Sequence, residues 1–142
     1  METFKKKFQT KTKMEREVYF LNKLSSYKYF PKVVSVNKDT NELEMSFCGD
    51  VLEEGFEPKL WKKQTREIIS ILEKENIYHN DIHDENFLCK DNKIFLVDFG
   101  RATENKEAFP FLNVPSSCLN DCNSFFHVFL YAEKNFKKIH RV

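Results

Sequence analysis

The sequence has 142 residues, 41% of them hydrophobic, 32% charged and 15% aromatic, with a formal net charge of +1. That length sets the scale of one domain with one core, and the composition is that of an ordinary globule in which aromatic side chains, mostly Phe, supply large buried area. A charge near zero gives no global electrostatic reason to bind nucleic acid or an anionic membrane, and no apolar run approaches the roughly 18–20 residues of a membrane span.

The basic residues near the start, Lys5, Lys6, Lys7, Lys11 and Lys13, make a local charge cluster only. The opening "METFKKKF" has no apolar stretch of signal-peptide type, so a cytoplasmic location is expected. Cys48, Cys89, Cys118 and Cys122 form no C-x-x-C pair and no dense disulfide framework, which fits free thiols in a reducing compartment.

In chain order, "TFKKKFQT" alternates Phe4 and Phe8 with charge and reads as a strand, with Lys6 on the same inward face as both aromatics. "TKMEREVYFLNKLSS" carries Met14, Val18, Leu21 and Leu24 at helical spacing, with Thr12 and Glu15 spaced as a capping box. "KVVSV" and "ELEMSF" predict a hairpin across "NKDTN", with Leu43, Met45 and Phe47 on one face. "CGDVLEEGFEP" reads as a connector, with Pro58 in the first turn of the next helix. That helix, "KLWKKQTREIISILEKEN", places Trp61, Thr65, Ile68, Ile69 and Leu72 on one stripe. "NFLC" and "KIFLV" around "KDNK" read as a second hairpin. A last helix, "NDCNSFFHVFLYAEKNFKK", is apolar nearly all round, as befits the middle of a domain, and ends in lysines that complement its dipole.

The chemistry concentrates in "HNDIHDEN", residues 79–86, with "VDFG" at 97–100. Asp81, Asn86 and Asp98 stand five and twelve residues apart, and the intervening hairpin can return Asp98 to the neighbourhood of Asn86. Carboxylate and amide oxygens are the hard ligands Mg²⁺ prefers, and one or two of them plus nucleotide phosphates are its usual shell. Asp81 then remains to orient a hydroxyl. A zinc site from His79, His83 and Cys89 has a plausible histidine spacing but no fourth ligand, and is set aside.

The pattern H-x-D-x-x-x-x-N followed by D-F-G resembles the catalytic and metal-binding loops of the protein-kinase-like superfamily. The order of the remaining segments resembles that family over residues 3–137. The resemblance implies an α+β, reduced two-lobe fold in a single domain: a reduced N-lobe over 1–48 with a small antiparallel sheet and one helix, a hinge over 49–56, and a mostly helical C-lobe over 57–142. It also implies that Ser46 to Cys48 meet adenine, that the helix with Glu17 pairs with a strand lysine at the phosphates, that Asp121 braces the catalytic loop and that His79 does likewise. His83 stands where many protein kinases carry a phosphate-contacting Lys. A His there resembles the aminoglycoside- and choline-kinase-like branch, and its protonated form would touch the γ-phosphate.

The Glu17 assignment also follows from helix geometry, since Glu17 lies inside the arc of Met14, Val18, Leu21 and Leu24 while Glu15 lies outside it. A carboxylate on a core-facing stripe needs a cation. Lys6 is the natural partner, with Lys5 and Lys7 as alternatives if the strand register slips.

Three departures from the family stand out. The glycines are Gly49, Gly55 and Gly100, so residues 1–48 hold no glycine-rich loop, and the first two N-lobe strands have no counterpart there. The later C-lobe helices are missing. Gly100 and Asp121 are separated by 20 residues with no A-P-E, so control by activation-loop phosphorylation is not expected.

The expected activity is Mg²⁺- and ATP-dependent transfer of the γ-phosphoryl group to a hydroxyl, with Asp81 and His83 at the chemistry, Lys6, Glu17, Ser46 and Cys48 at the nucleotide, and Asn86 and Asp98 at the metal. A protein Ser/Thr is the first choice of substrate and a small hydroxylated molecule the second. The competing class is a non-catalytic kinase-like module that binds a partner kinase or forms a homodimer. The intact Asp81, Asn86 and Asp98 set favours catalysis, because a pure binding module has no physical need of it.

Overall fold

The computed structural model describes residues 2–51, 58–81 and 84–104. His83, Asp121, the predicted last helix over 120–138 and most of the connector fall outside the described residues, as do Cys118, Cys122, His127 and His140.

The first sheet contains β1 (Thr3–Lys7), β2 (Val33–Asn37) and β3 (Glu42–Ser46) in the order β1-β3-β2, antiparallel throughout. The predicted β2–β3 hairpin is present. Its turn is shaped by the Asn37 side chain, whose Oδ1 accepts from the Asp39 and Thr40 N–H groups at 3.0 and 3.2 Å, and by Asn41 at φ 57°.

Between β1 and β2 runs α1 (Lys11–Lys23). Its cap differs from the expected one: Thr10 is the N-cap, in extended conformation, and its side chain accepts from the Lys13 N–H at 3.2 Å. The hydroxyl serves the third helical N–H, so Thr12 and Glu15 fall inside the helix, where a capping box cannot operate. Met14, Glu17, Leu21 and Leu24 are buried at steps of three, four and three, and Val18 packs at the edge of the same stripe. Phe8 packs against the core as expected, but Phe4 is 52% exposed. Phe4 belongs to the inward face by register, opposite Met45, but β1 is an edge strand and leaves that end uncovered.

The second sheet, in the order β4-β5-β6, contains β4 (Asp50–Val51), β5 (Phe87–Lys90) and β6 (Lys93–Leu96). β5 and β6 form the predicted hairpin, closed by Asp91 and Asn92 at φ 52° and 64°, the pair of left-handed residues that a tight two-residue turn demands. β4 was unforeseen in a segment read as connector. It forms because Gly49, at φ 96°, carries the chain against β5 so closely that a Cβ there would lie 2.1 Å from the Cys89 carbonyl oxygen.

The second long helix, α2 (Trp61–Lys74), buries Thr65, Ile68, Ile69 and Leu72 as the stripe predicts. Pro58 lies before the helix rather than in its first turn, because Leu60 takes a left-handed conformation at the N-cap and the helix begins only at Trp61. Gln64 ties α2 to the β5–β6 hairpin: its Nε2 donates to the Lys59 and Asn92 carbonyls and its Oε1 accepts from the Ile94 N–H, each at 2.8 Å.

Both sheets and both helices contribute to one hydrophobic core, in which Phe30, Phe87 and Phe99 are the largest fully buried side chains. The Leu96 N–H donates to the Tyr29 carbonyl at 3.0 Å, joining the segment after α1 to β6. The architecture is α+β, with two small antiparallel sheets and two long helices among the described residues. Among the described residues no helix is long and apolar enough to cross a membrane.

Candidate functional site

Lys6 lies opposite Leu43 across the β1–β3 ladder, and Leu43 is fully buried, so the alternation of the strand turns Lys6 toward α1. There its Nζ meets the Glu17 Oε1 at 2.9 Å. Glu17 is 1% exposed and Lys6 31%, so the pair stands with its acid in the core and its base at the rim of the site. The Lys6 Nζ also lies 3.6 Å from the Asp98 Oδ1 and 4.9 Å from the centre of the Phe8 ring. Burial disfavours the Lys6 charge, but the two carboxylates outweigh it and hold the ammonium above its ordinary pKa. Burial raises the Glu17 carboxyl, and Lys6 and the Phe99 N–H only partly offset that.

Asp98 follows β6 at φ 62°. This left-handed step lets its Oδ1 accept from the Gly100 N–H at 3.2 Å while the Phe99 N–H donates to the Glu17 Oε2 at 3.2 Å. Phe99 is fully buried, its ring edge-on to Phe30 and to His79 at centroid distances of 5.8 and 4.8 Å. Burial pushes the Asp98 carboxyl up, but Lys6 and the Gly100 N–H more than offset it, and the group lies below its ordinary pKa. Asp98 is therefore ionised at neutral pH.

The loop from His79 to Asn86 is pinned from both ends. The His79 Nδ1 accepts from the Asp81 N–H at 3.2 Å, which leaves the proton on Nε2, bonded to the Val97 carbonyl at 2.9 Å. A ring so engaged braces the loop and cannot bind zinc without breaking both bonds. Among the described residues no cluster of three or more His, Cys, Asp or Glu side chains could hold a metal by itself. The Asn86 Nδ2 donates to the Asp81 carbonyl at 2.8 Å and to the Asp81 Oδ2 at 3.3 Å. The Asn86 carbonyl in turn accepts from the Val97 N–H at 3.0 Å, which brings Asn86 beside the residue that precedes Asp98. Asp81, Asn86 and Asp98 thus share one end of the β5–β6 hairpin.

The segment after β3 is already partly committed. The Ser46 N–H donates to the Lys32 carbonyl, the Ser46 hydroxyl accepts from the Lys32 N–H, both at 2.8 Å, and the Phe47 N–H donates to the Glu2 carbonyl at 3.1 Å. Of the expected adenine-contacting stretch, Cys48 is the residue whose backbone N–H has no acceptor among the described residues. Its thiol is free and buried, and burial pushes its pKa up to about 11.

Several residues that shape this site escaped the sequence reading. Asn80, buried and at φ 67°, donates through Nδ2 to the Arg101 carbonyl and the Thr103 Oγ1, both at 3.0 Å, and Tyr78 and Thr103 exchange backbone hydrogen bonds. Polar residues of this kind leave no periodic signal. A buried Asn beside "HxD" is legible only once the strand bridge that buries it is known.

The family model for the RIO domain matches residues 1–139. The chain belongs to the RIO domain family. That family is atypical protein-kinase-like. Comparison with curated proteins gives no match. Among solved structures, the RIO domain is similar to the kinase PK-1 of Cydia pomonella granulovirus, with a TM-score of 0.49 and 24% identity. That alignment covers 63% of this chain and 40% of the viral one, so the aligned segment spans less than half of that kinase.

Proposed function

We propose that the chain is a minimal Mg²⁺- and ATP-dependent protein kinase that transfers the γ-phosphoryl group to a Ser or Thr hydroxyl. The observation that carries the reading is the placement of Lys6 between Glu17 and Asp98, at 2.9 and 3.6 Å, beside a loop in which Asn86 is bonded to Asp81. The buried Glu17 needs one cation, but a lysine that also faces Asp98 and stays 31% exposed goes beyond that need and leaves an ammonium at the rim, which is what the α/β-phosphates of a nucleotide require.

The donor set fits Mg²⁺. Asp98 is ionised, Asn86 gives its nitrogen to Asp81 and would hold the metal through its amide oxygen, and phosphate oxygens would complete the shell. When bound, Mg²⁺ neutralises charge on the β- and γ-phosphates. Lys6, oriented by Glu17, binds the α/β-phosphates. The Cys48 N–H meets the adenine edge. Asp81 positions the substrate hydroxyl and accepts its proton, and the Asn86 bond fixes the carboxylate for that task. His83 would contact the γ-phosphate. Catalysis on this scheme is positioning and charge neutralisation.

A small hydroxylated molecule is the second substrate class. The competing reading is a kinase-like module that binds a partner kinase or a second copy without catalysis. The deciding experiment is calorimetry of ATP binding with and without Mg²⁺, for the parent and Asp98→Asn, followed by a transfer assay on Ser/Thr peptides. Metal-dependent binding lost in Asp98→Asn, with transfer, supports the kinase. Binding without transfer to any hydroxyl favours the module, and no ATP binding at all rejects both nucleotide roles.

A further inference from the structure

Helix α1 presents two faces. Met14, Glu17, Leu21 and Leu24 turn to the core, and Arg16, Tyr19 and Lys23, spaced by three and four residues, turn to the chain just beyond the D-F-G segment. The Arg16 guanidinium donates to the Ala102 carbonyl at 3.1 Å, the Tyr19 hydroxyl donates to the Glu104 Oε1 at 2.8 Å, and the Lys23 ammonium donates to the Glu104 Oε2. The far side of Glu104 is fixed as well: its carbonyl accepts from the Asn76 Nδ2 at 3.1 Å, and the preceding Thr103 is bridged to Tyr78 and Asn80. The Lys23 hydrogen bond holds the Glu104 carboxyl below its ordinary pKa.

One exposed ion pair contributes little to a fold. Here both oxygens of one carboxylate are taken by one helix while its backbone is anchored to the turn after α2, so the contact has a geometric consequence larger than its energy. It sets the position of α1 relative to residues 99–104, and Glu17 is carried on α1 with its Oε2 on the Phe99 N–H.

We propose that Glu104 is a positioning residue for the Lys6–Glu17 pair, latching α1 so that the pair is assembled without any external trigger. The proposal rests on the reading of that pair as the nucleotide-contacting one. It commits this chain to a permanently assembled site, in which the segment after Gly100 holds the helix directly.

The Phe99 amide proton reports the position of Glu17 without any nucleotide. Its NMR shift would be measured in the parent, in Glu17→Ala as the reference for complete loss, and in Glu104→Ala and Glu104→Gln. In Glu104→Ala the signal is expected to move at least about half way to its Glu17→Ala position. In Glu104→Gln, which keeps one acceptor oxygen, it should move less. A Phe99 signal unmoved in folded Glu104→Ala overturns the proposal. If Glu104→Ala does not fold, Lys23→Met and Tyr19→Phe each remove one bond to Glu104, and the same shift, smaller, is expected; no shift in either overturns it. In a second arm, Glu104→Ala should weaken Mg²⁺-ATP binding about three- to tenfold in the parent and leave it unchanged in a Glu17→Ala background. Equal weakening in both backgrounds overturns a role through Glu17. A parent that binds no ATP overturns the nucleotide reading alone, because the Phe99 arm still decides the latch.

Discussion

Glu17 and Phe99, 82 positions apart, meet through a single hydrogen bond in which the Phe99 N–H donates to the Glu17 Oε2 at 3.2 Å. The bond couples the helix that carries the partner of Lys6 to the backbone that follows Asp98, so the lysine proposed for the nucleotide and the carboxylate proposed for the metal are tied to one buried side chain.

If Asn86 and Asp98 hold Mg²⁺ against the nucleotide, ATP is expected to raise the melting temperature only when Mg²⁺ is present, because a ligand stabilises the state it binds. Residues 1–48 contain no glycine and so no loop to close over the phosphates, and the dissociation constant of the isolated chain is expected at about 100 μM or above. If nearby lysines partly replace the lost phosphate donors, affinity should fall as salt rises. Equal stabilisation in EDTA removes the metal role, and submicromolar, salt-insensitive binding contradicts an open phosphate site.

Asp81→Ala should slow phosphoryl transfer by a factor on the order of 10²–10⁴ with nucleotide affinity nearly unchanged, the pattern of a group that acts on the hydroxyl rather than on ATP. Single-turnover kinetics at saturating Mg²⁺-ATP separate the two. Transfer at the parent rate would exclude Asp81 as the base.

Gly49→Ala tests the close approach of the chain before β4 to β5. The added Cβ faces the Cys89 carbonyl oxygen at 2.1 Å on a backbone at φ 96°, and both contact and conformation oppose it. A loss of about 2–4 kcal/mol in urea unfolding is expected. A change below about 0.5 kcal/mol would show that Gly49 does not press against β5 in solution.

The acid limb of stability carries the signature of Asp98. Its folded pKa is depressed, so between the folded value and the ordinary one near 3.8 the unfolded chain binds more protons. The contribution is therefore fully present above the unfolded pKa and lost as pH falls through the folded one. Glu17, raised in the fold, works in the opposite sense, and the parent profile mixes both. Subtracting the profile of Asp98→Asn isolates the first: the stability difference between parent and variant should shrink as pH is lowered from about 6 to 3. A difference that stays constant over that range would mean that Asp98 does not interact with Lys6 in solution.

Much of this arrangement was legible in the chain itself, and the rest was not, for reasons that particular residues make plain. The stripe Met14, Val18, Leu21 and Leu24 predicts α1 because burial follows helical spacing, and the same arc singles out Glu17 as a buried acid in need of a cation. The two hairpins follow from β-rich runs around polar turns. The spacing of Asp81, Asn86 and Asp98 by itself points to hard-ligand chemistry. Tertiary structure alone decided which lysine meets Glu17, since that depends on the register that puts Lys6 opposite Leu43, and a slip of one residue would have turned it outward. It decided that Thr10 rather than Thr12 caps α1, because both have the right side chain and only backbone conformation separates them. It decided that Phe4 stays exposed on an edge strand and that Ser46 spends its N–H on Lys32. Periodicity reports which face of an element is buried. Which partner lies across that face is fixed by contacts between residues as distant in sequence as Glu17 and Phe99, or Tyr19 and Glu104, and no local pattern encodes them.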